Sequence, residues 1–341
     1  MTAPDAPRPA TPHGADGIRL TIAIPTLNRA RELRRAIDSA LAQSSSQAEV
    51  LVSNNGSTDE TREVIASYTH PRLRVFHRDT TIPAAEHGNF LIAEARGQLF
   101  LGLSDDDYLE PQFAERVIDL YDRHPNVSFV YTRCWTHVGS AVLPSPAGPE
   151  LEDTLAFLQG YFTGRRHLFW CACVTRTDEL RRVGGLPVGA LIGDMHLWTQ
   201  LAFSGPVGCV DAMLSHYTYL AGNSSTGIPV CDWAAETGKL LRRVSARLDE
   251  MELSRDVRSE LRRAMQAYLG RTTANQFALN AARGVSKRAL LRALLACGTD
   301  LRGSLPTALP RVLAALLLPT GVTTKLVNGF VARRSRWARN V

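Results

Sequence analysis

Along the first 135 residues, short apolar and β-branched runs alternate with stretches whose apolar positions recur every three to four residues. LTIAIPT, residues 20–26, predicts a strand, and the helical period follows it from about Arg31 to Gln43. AEVLVSNNGSTDE predicts a second strand ending at Ser53, a polar turn, and a helix with Ser57 and Thr58 as cap candidates and Asp59 and Glu60 in its first turn. RLRVFH, residues 72–77, predicts a third strand, residues 86–96 a helix, and QLFLGL a fourth strand. Alternation of this kind predicts an α/β fold built on a mostly parallel sheet with right-handed crossovers. Ligands of such sheets bind beyond the carboxyl ends of the strands. Three polar segments fall there: Pro25 to Arg29, Asn54 to Thr58 and Asp105 to Asp107.

The last segment carries the sharpest chemical question. FLGLSDDDYLEP sets three consecutive carboxylates directly after a buried strand, where like charges repel. A divalent cation held by carboxylate and phosphate oxygens would neutralise them. The alternative is a solvated turn whose aspartates cap the next helix.

Bulk properties narrow the classes. A chain of 341 residues with 45% hydrophobic content has the material for a sizeable core. Residues 1–17, rich in Pro, Ala and Gly, lack the basic start and apolar stretch of a signal peptide and predict a disordered leader. Without such a signal a cytoplasmic protein is expected, and no window reaches the roughly 18 apolar residues of a membrane span. The six cysteines fit neither a disulfide framework nor a zinc site, and buried free thiols are expected. The net charge of +6 is unevenly placed: from Ala281 onward, eleven Lys or Arg face Asp300 alone.

Three landmarks occur in order: IPTLNRARELRRAIDSALAQ, VLVSNNGSTDETREVI and EARGQLFLGLSDDDYLEP. Together they resemble the family 2 glycosyltransferases of the GT-A fold, over residues 19 to about 226. The resemblance implies inverting transfer of a sugar from a nucleoside diphosphate donor to an acceptor hydroxyl or amine, usually with Mg²⁺ or Mn²⁺ on the diphosphate. It also implies roles for residues. Pro25, Thr26, Asn28 and Arg29 would face the nucleotide base and ribose, Arg29 being alternatively a surface charge at a helix start. Asn54, followed by Asn55, stands where the family usually places an acid that accepts a base N–H, and Asn can still accept that bond; Asn55 and Ser57 of the same turn are further nucleotide-sugar-binding candidates. UDP- and dTDP-sugars are the leading donors. Asn89 matches a polar position near the donor, or caps its helix. The family's DxD motif falls with its first position on Ser104 and its second on Asp106. That makes Asp106 the leading metal ligand, with Asp105 beside the donor; a register one residue later would pair Asp105 with Asp107, so Asp107 is also a candidate ligand.

An inverting transfer needs a base to take the acceptor's proton. GALIGDMHLWTQLAFSG matches the family's acid pair before an amphipathic helix, with Gly193 replacing the first acid, which leaves Asp194 as candidate base or as an N-cap. The family's downstream His corresponds to Leu220; Asn223, Ser224 and Ser225 are candidates to touch phosphate, and His216 is expected to face the core more than a ligand.

The predicted organisation is a leader over 1–17, a nucleotide-sugar-binding part over 18–135, an acceptor-side part over 136–228, and a helical extension over 229–341. Residues 231–249 and 254–282 carry helical periodicity. The basic, Leu-rich tail, with Trp337 among arginines, suits an anionic membrane surface or a helical cap or homodimer contact, and lacks the aromatic platforms of a nucleic-acid site. The leading acceptor is therefore a glycolipid or cell-envelope glycan intermediate at the inner membrane face. A soluble natural product or peptide acceptor, and a non-catalytic nucleotide-sugar scaffold, are the alternatives. The stretch from Gly139 to Arg166 matches no interpretable pattern.

Overall fold

The computed structural model describes residues 17–219 and 227–297. Four strands near the N-terminus fall where the apolar runs place them: β1 (Leu20–Thr26), β2 (Ala48–Asn54), β3 (Leu73–His77) and β4 (Leu99–Gly102). The helices between them are α1 (Ala30–Leu41), α2 (Thr61–Ala66) and α3 (Ala84–Glu94). A two-residue strand β5 (Tyr108–Leu109) and helix α4 (Phe113–Arg123) lead into the long strand β6 (Phe129–Val138). Next come β7 (Ala141–Pro144), β8 (Leu151–Glu152), α5 (Thr154–Thr163), a single 3₁₀ turn over Trp170–Ala172, β9 (Cys173–Arg176) and α6 (Thr177–Arg182). The chain continues through α7 (Gly193–Leu201), β10 (Val207–Tyr219), α8 (Val230–Asp249), α9 (Arg255–Ala282) and α10 (Lys287–Cys297).

All ten strands join one sheet, whose main path runs β3-β2-β1-β4-β9-β6-β10-β5, with β7 on β6 and β8 on β10. The first four strands pair in parallel, as do β6 and β10, and β9 enters antiparallel between β4 and β6. The boundary drawn at residue 135 falls inside β6, so the two predicted parts are halves of one continuous sheet.

Alternation along β1 explains the layering. Leu20, Ile22 and Ile24 face a core built with α1, α2 and α4, whereas Ala23 faces a second core on the opposite side, built with α3, α5, α7, α8 and α9. The helical extension thus covers one face of the sheet. Its Leu241, Val244, Leu261 and Met265 share a core with Phe129, Phe157 and Trp198. Buried thiols were expected, and Cys134, Cys171, Cys173 and Cys209 are free and buried. No helix of the described residues is long and apolar enough to cross a membrane. The leader up to residue 16, residues 220–226 with Leu220 and Asn223 to Ser225, and the tail from residue 298 with Trp337 lie outside the described residues.

Candidate active site

The parallel register brings Pro25 level with Ser53 and Thr26 level with Asn54, so the loops after β1 and β2 leave the sheet side by side. They are then stapled together. Asn28, in the left-handed region at φ 53°, accepts the Thr58 amide on Oδ1 at 2.8 Å, and its own amide donates to Ser57 Oγ at 2.9 Å. Asn54 Oδ1 takes the Ser57 amide at 2.9 Å. Ser57 and Thr58 therefore join the loops and do not cap α2, whose N-cap is Glu60. Asn55 uses both ends of its amide on Ile82, donating to the carbonyl at 2.9 Å and accepting from the N–H at 3.1 Å. The segment after β3, unremarked in the sequence, becomes a third wall of this cleft.

The aspartate turn follows β4. Its main chain is held by Arg35, whose guanidinium lies 4.3 Å from the Tyr108 ring centre and donates to the Asp106 carbonyl at 2.8 Å and to Thr218 Oγ1 at 3.1 Å. The three carboxylates have different surroundings. Burial pushes Asp105 up to about 6; the Thr26 hydroxyl opposes this, Asp106 adds to it, and Arg29 opposes it again. Burial also raises Asp106, with Arg29 and Arg35 opposing and Glu32 adding. Asp107, expected as a second candidate metal ligand, turns inward: it is 1% exposed, and its Oδ1 accepts the Thr218 amide at 2.7 Å. Burial raises it well above the ordinary range, with the Asp106 charge adding and the Thr218 amide and Cys171 thiol opposing. It acts as the anchor of the turn.

Beyond it, His216 sits on β10 as expected of a core residue. It stacks on Tyr108 at 4.0 Å, meets His137 Nε2 through Nδ1 at 3.0 Å, and reaches Glu110 through Nε2 at 2.8 Å.

Among the described residues, no group of three or more His, Cys, Asp or Glu is arranged to hold a metal ion alone. Asp105 and Asp106 remain, like charges raised by burial and by each other's field or that of Glu32. That donor set fits a hard cation that shares its coordination with the phosphate oxygens of a ligand and with water.

Across the sheet face, Asp194 is the second residue of α7, and the N-cap is Ile192, so the side chain does not cap. Burial raises its pKa, while the Met195 amide and its own amide lower it. Its charge is felt by Tyr161 of α5, Tyr268 of α9 and Cys173 of β9. The two tyrosine hydroxyls meet at 3.2 Å. One residue pair further along α7, His196 Nε2 contacts Glu236 of α8 at 3.1 Å, both almost fully buried, and Lys239 pairs with the other Glu236 oxygen at 3.0 Å. The extension therefore grips the helix that carries Asp194. Sequence reading missed Glu236 and Tyr268, which looked like ordinary helix positions.

Asn89, expected near the donor, joins the two sides of the site. Its Nδ2 donates to the Leu186 carbonyl at 2.9 Å and its Oδ1 accepts the Leu186 amide at 2.7 Å.

Residues 21–165 match the family described as Glycosyl transferase family 2. An uncharacterized glycosyltransferase of Haemophilus influenzae is 32% identical over 181 residues, 52% of this chain and 54% of the relative. A chondroitin synthase of Pasteurella multocida is 35% identical over 115 residues, 33% of this chain and 12% of the relative. The chain thus aligns with about half of one curated relative and about an eighth of the other. The crystal structure of S. aureus TarS 1-349 in complex with UDP-GlcNAc shares the fold, with a TM-score of 0.60 at 16% identity, covering 87% of this chain and 91% of that one. The sheet and the structural match give the chain the fold of the GT-A glycosyltransferases. It is segment 21–165 that is similar to glycosyl transferase family 2.

Proposed function

We propose that the chain transfers a sugar, with inversion, from a nucleoside diphosphate donor to an acceptor hydroxyl. The observation that carries this reading is the placement of a stapled cleft and an acidic turn at the carboxyl ends of β1, β2 and β4, on a sheet whose other half presents Asp194. The nucleoside lies against Thr26, Asn28, Arg29 and Asn54. Asp105 and Asp106 would hold a Mg²⁺ or Mn²⁺ ion, which when bound neutralises the diphosphate as it leaves.

Asp194 performs the second task. Its carboxylate takes the proton of the acceptor O–H as that oxygen bonds to the sugar's anomeric carbon and the bond from that carbon to the diphosphate breaks. A partly buried setting strengthens the carboxylate as a base, and the α7 amides keep it ionised.

The acceptor we favour is a cell-envelope glycan or glycolipid. One relative is a chondroitin synthase, a structural neighbour was solved with UDP-GlcNAc, and basic residues crowd the C-terminal third. The test is a thermal-shift screen of UDP, dTDP, GDP and CMP with and without Mn²⁺, followed by donor hydrolysis. One nucleoside diphosphate is expected to stabilise the wild type only with metal, and not Asp106→Ala. Stabilisation by none of them would refute the reading.

A further inference from the structure

Between the acidic turn and Asp194 lies a tryptophan pair with no role in the chemistry above. Trp170, half-buried, opens the 3₁₀ turn that precedes β9. Its indole lies against the main chain of Gly102, the last residue of β4 and two positions before Ser104; a Cβ at Gly102 would overlap the ring. That bare glycine ends an otherwise apolar strand because the indole occupies the side-chain space. Trp170 also meets Trp198 of α7, centroids 5.7 Å apart and tilted by 39°. Trp198 is 2% exposed and backed by Phe129 at 5.4 Å, so it supports the first indole.

The surrounding segment lies near both carboxylate centres. The Cys171 thiol lies against Asp107, and Cys173 is close enough to Asp194 to feel its charge. Asp194 and Trp198 are four residues apart on α7 and share a helix face. Residues 170–173 therefore run from the turn that would hold the diphosphate to the helix that would supply the base, and Trp170 is their one large half-buried surface.

A hexose held between those two centres presents polar hydroxyls at its rim and a patch of C–H groups on its face. The hydroxyls suit the flanking carboxylates, and the C–H face needs a flat apolar partner, as sugar and cofactor sites commonly provide with an aromatic ring. Resting on the proposed transferase reading, we infer that Trp170 is the surface on which the donor's sugar ring lies, with Trp198 holding it in place. The nucleoside, on the β1 and β2 loops, does not touch it.

Calorimetry on the full chain separates the two claims. UDP, dTDP and GDP, and the corresponding nucleoside diphosphate hexoses, are titrated with Mn²⁺ into wild type, Trp170→Phe and Trp170→Ala. The expected result is that Trp170→Ala binds the free nucleoside diphosphate within about twofold of wild type and loses about tenfold for its hexose ester. Trp170→Phe, which keeps a ring over Gly102, falls between. Indole fluorescence should change on adding the hexose ester but not the free nucleotide, and Trp170→Phe should remove that change. Equal weakening of both ligands, or of neither, overturns the inference while leaving the transferase reading intact. Binding of no nucleotide by wild type overturns both.

Discussion

The two halves of the cleft are made in different ways. On the donor side, neighbouring loops are fastened by short-range polar contacts: Asn28 to Ser57 and Thr58, Asn54 to Ser57, Asn55 to Ile82. On the proposed acceptor side, the Asp194 charge is felt by Tyr161, Tyr268 and Cys173, on three separate elements, and Glu236 grips His196 from the extension. On the proposed reading, fixed loops serve a donor of one invariant shape, a nucleoside diphosphate. The proposed acceptor side, assembled from distant elements, has its shape set by packing.

Changes on the two sides should therefore separate in their effects. The largest is expected from Asp194→Asn. Sugar transfer at saturating donor should fall by about 10²–10⁴-fold, as for loss of a general base, with the donor dissociation constant unchanged. A matching loss of donor affinity would place Asp194 on the donor side instead. Asp106→Asn should act the other way. A ligand at a hundred times its dissociation constant stabilises the native state by about 2.7 kcal/mol, and the Mn²⁺-dependent part of that shift should vanish in the thermal midpoint.

Glu236→Gln tests the grip of the extension. It leaves His196 facing Arg243, at 3.4 Å, without its carboxylate, and should cost about 1–3 kcal/mol in denaturant unfolding. It should also lower kcat while sparing the donor KM, because only the acceptor side is disturbed.

Asp107→Asn should move stability in a direction that depends on pH. The folded state raises this carboxyl, so wild type keeps its full stability below the unfolded value near 3.8 and loses stability as pH rises toward the folded one. Asn can keep the Thr218 bond and does not ionise. Its melting temperature relative to wild type should therefore climb between pH 4 and pH 7, and a flat difference would mean that the folded state does not raise this carboxyl. The smallest effect is expected from Asn28. Asn28→Ala loses the Thr58 bond and places a methyl in the left-handed region, at about 1 kcal/mol, and Asn28→Gly should recover part of it in the same melt.

The contrast also explains what was legible in the sequence. β1 to β4 announce themselves because each strand and its following turn are contiguous, and buried parallel strands read as unbroken apolar runs. The helices of the extension, at Val230–Asp249 and Arg255–Ala282, fall within a residue of the expected limits because their period is local. β7, β8 and α5 were invisible: β8 has two residues and exists only by pairing with β10, more than fifty positions away. The acidic turn was found, but the inward rotation of Asp107 depends on the Thr218 amide, which no local pattern records. Trp170 left one faint signal, the glycine at the end of β4.

Asn89 has a consequence for which changes the chain tolerates where α3 meets the segment after α6. It bonds the carbonyl and amide of Leu186, whose side chain packs on Gly88, while a Cβ at Gly185 would strike the Asn89 amide. The joint thus fixes the main chain at 185 and 186 by direct contact and leaves position 185 no room for any side chain.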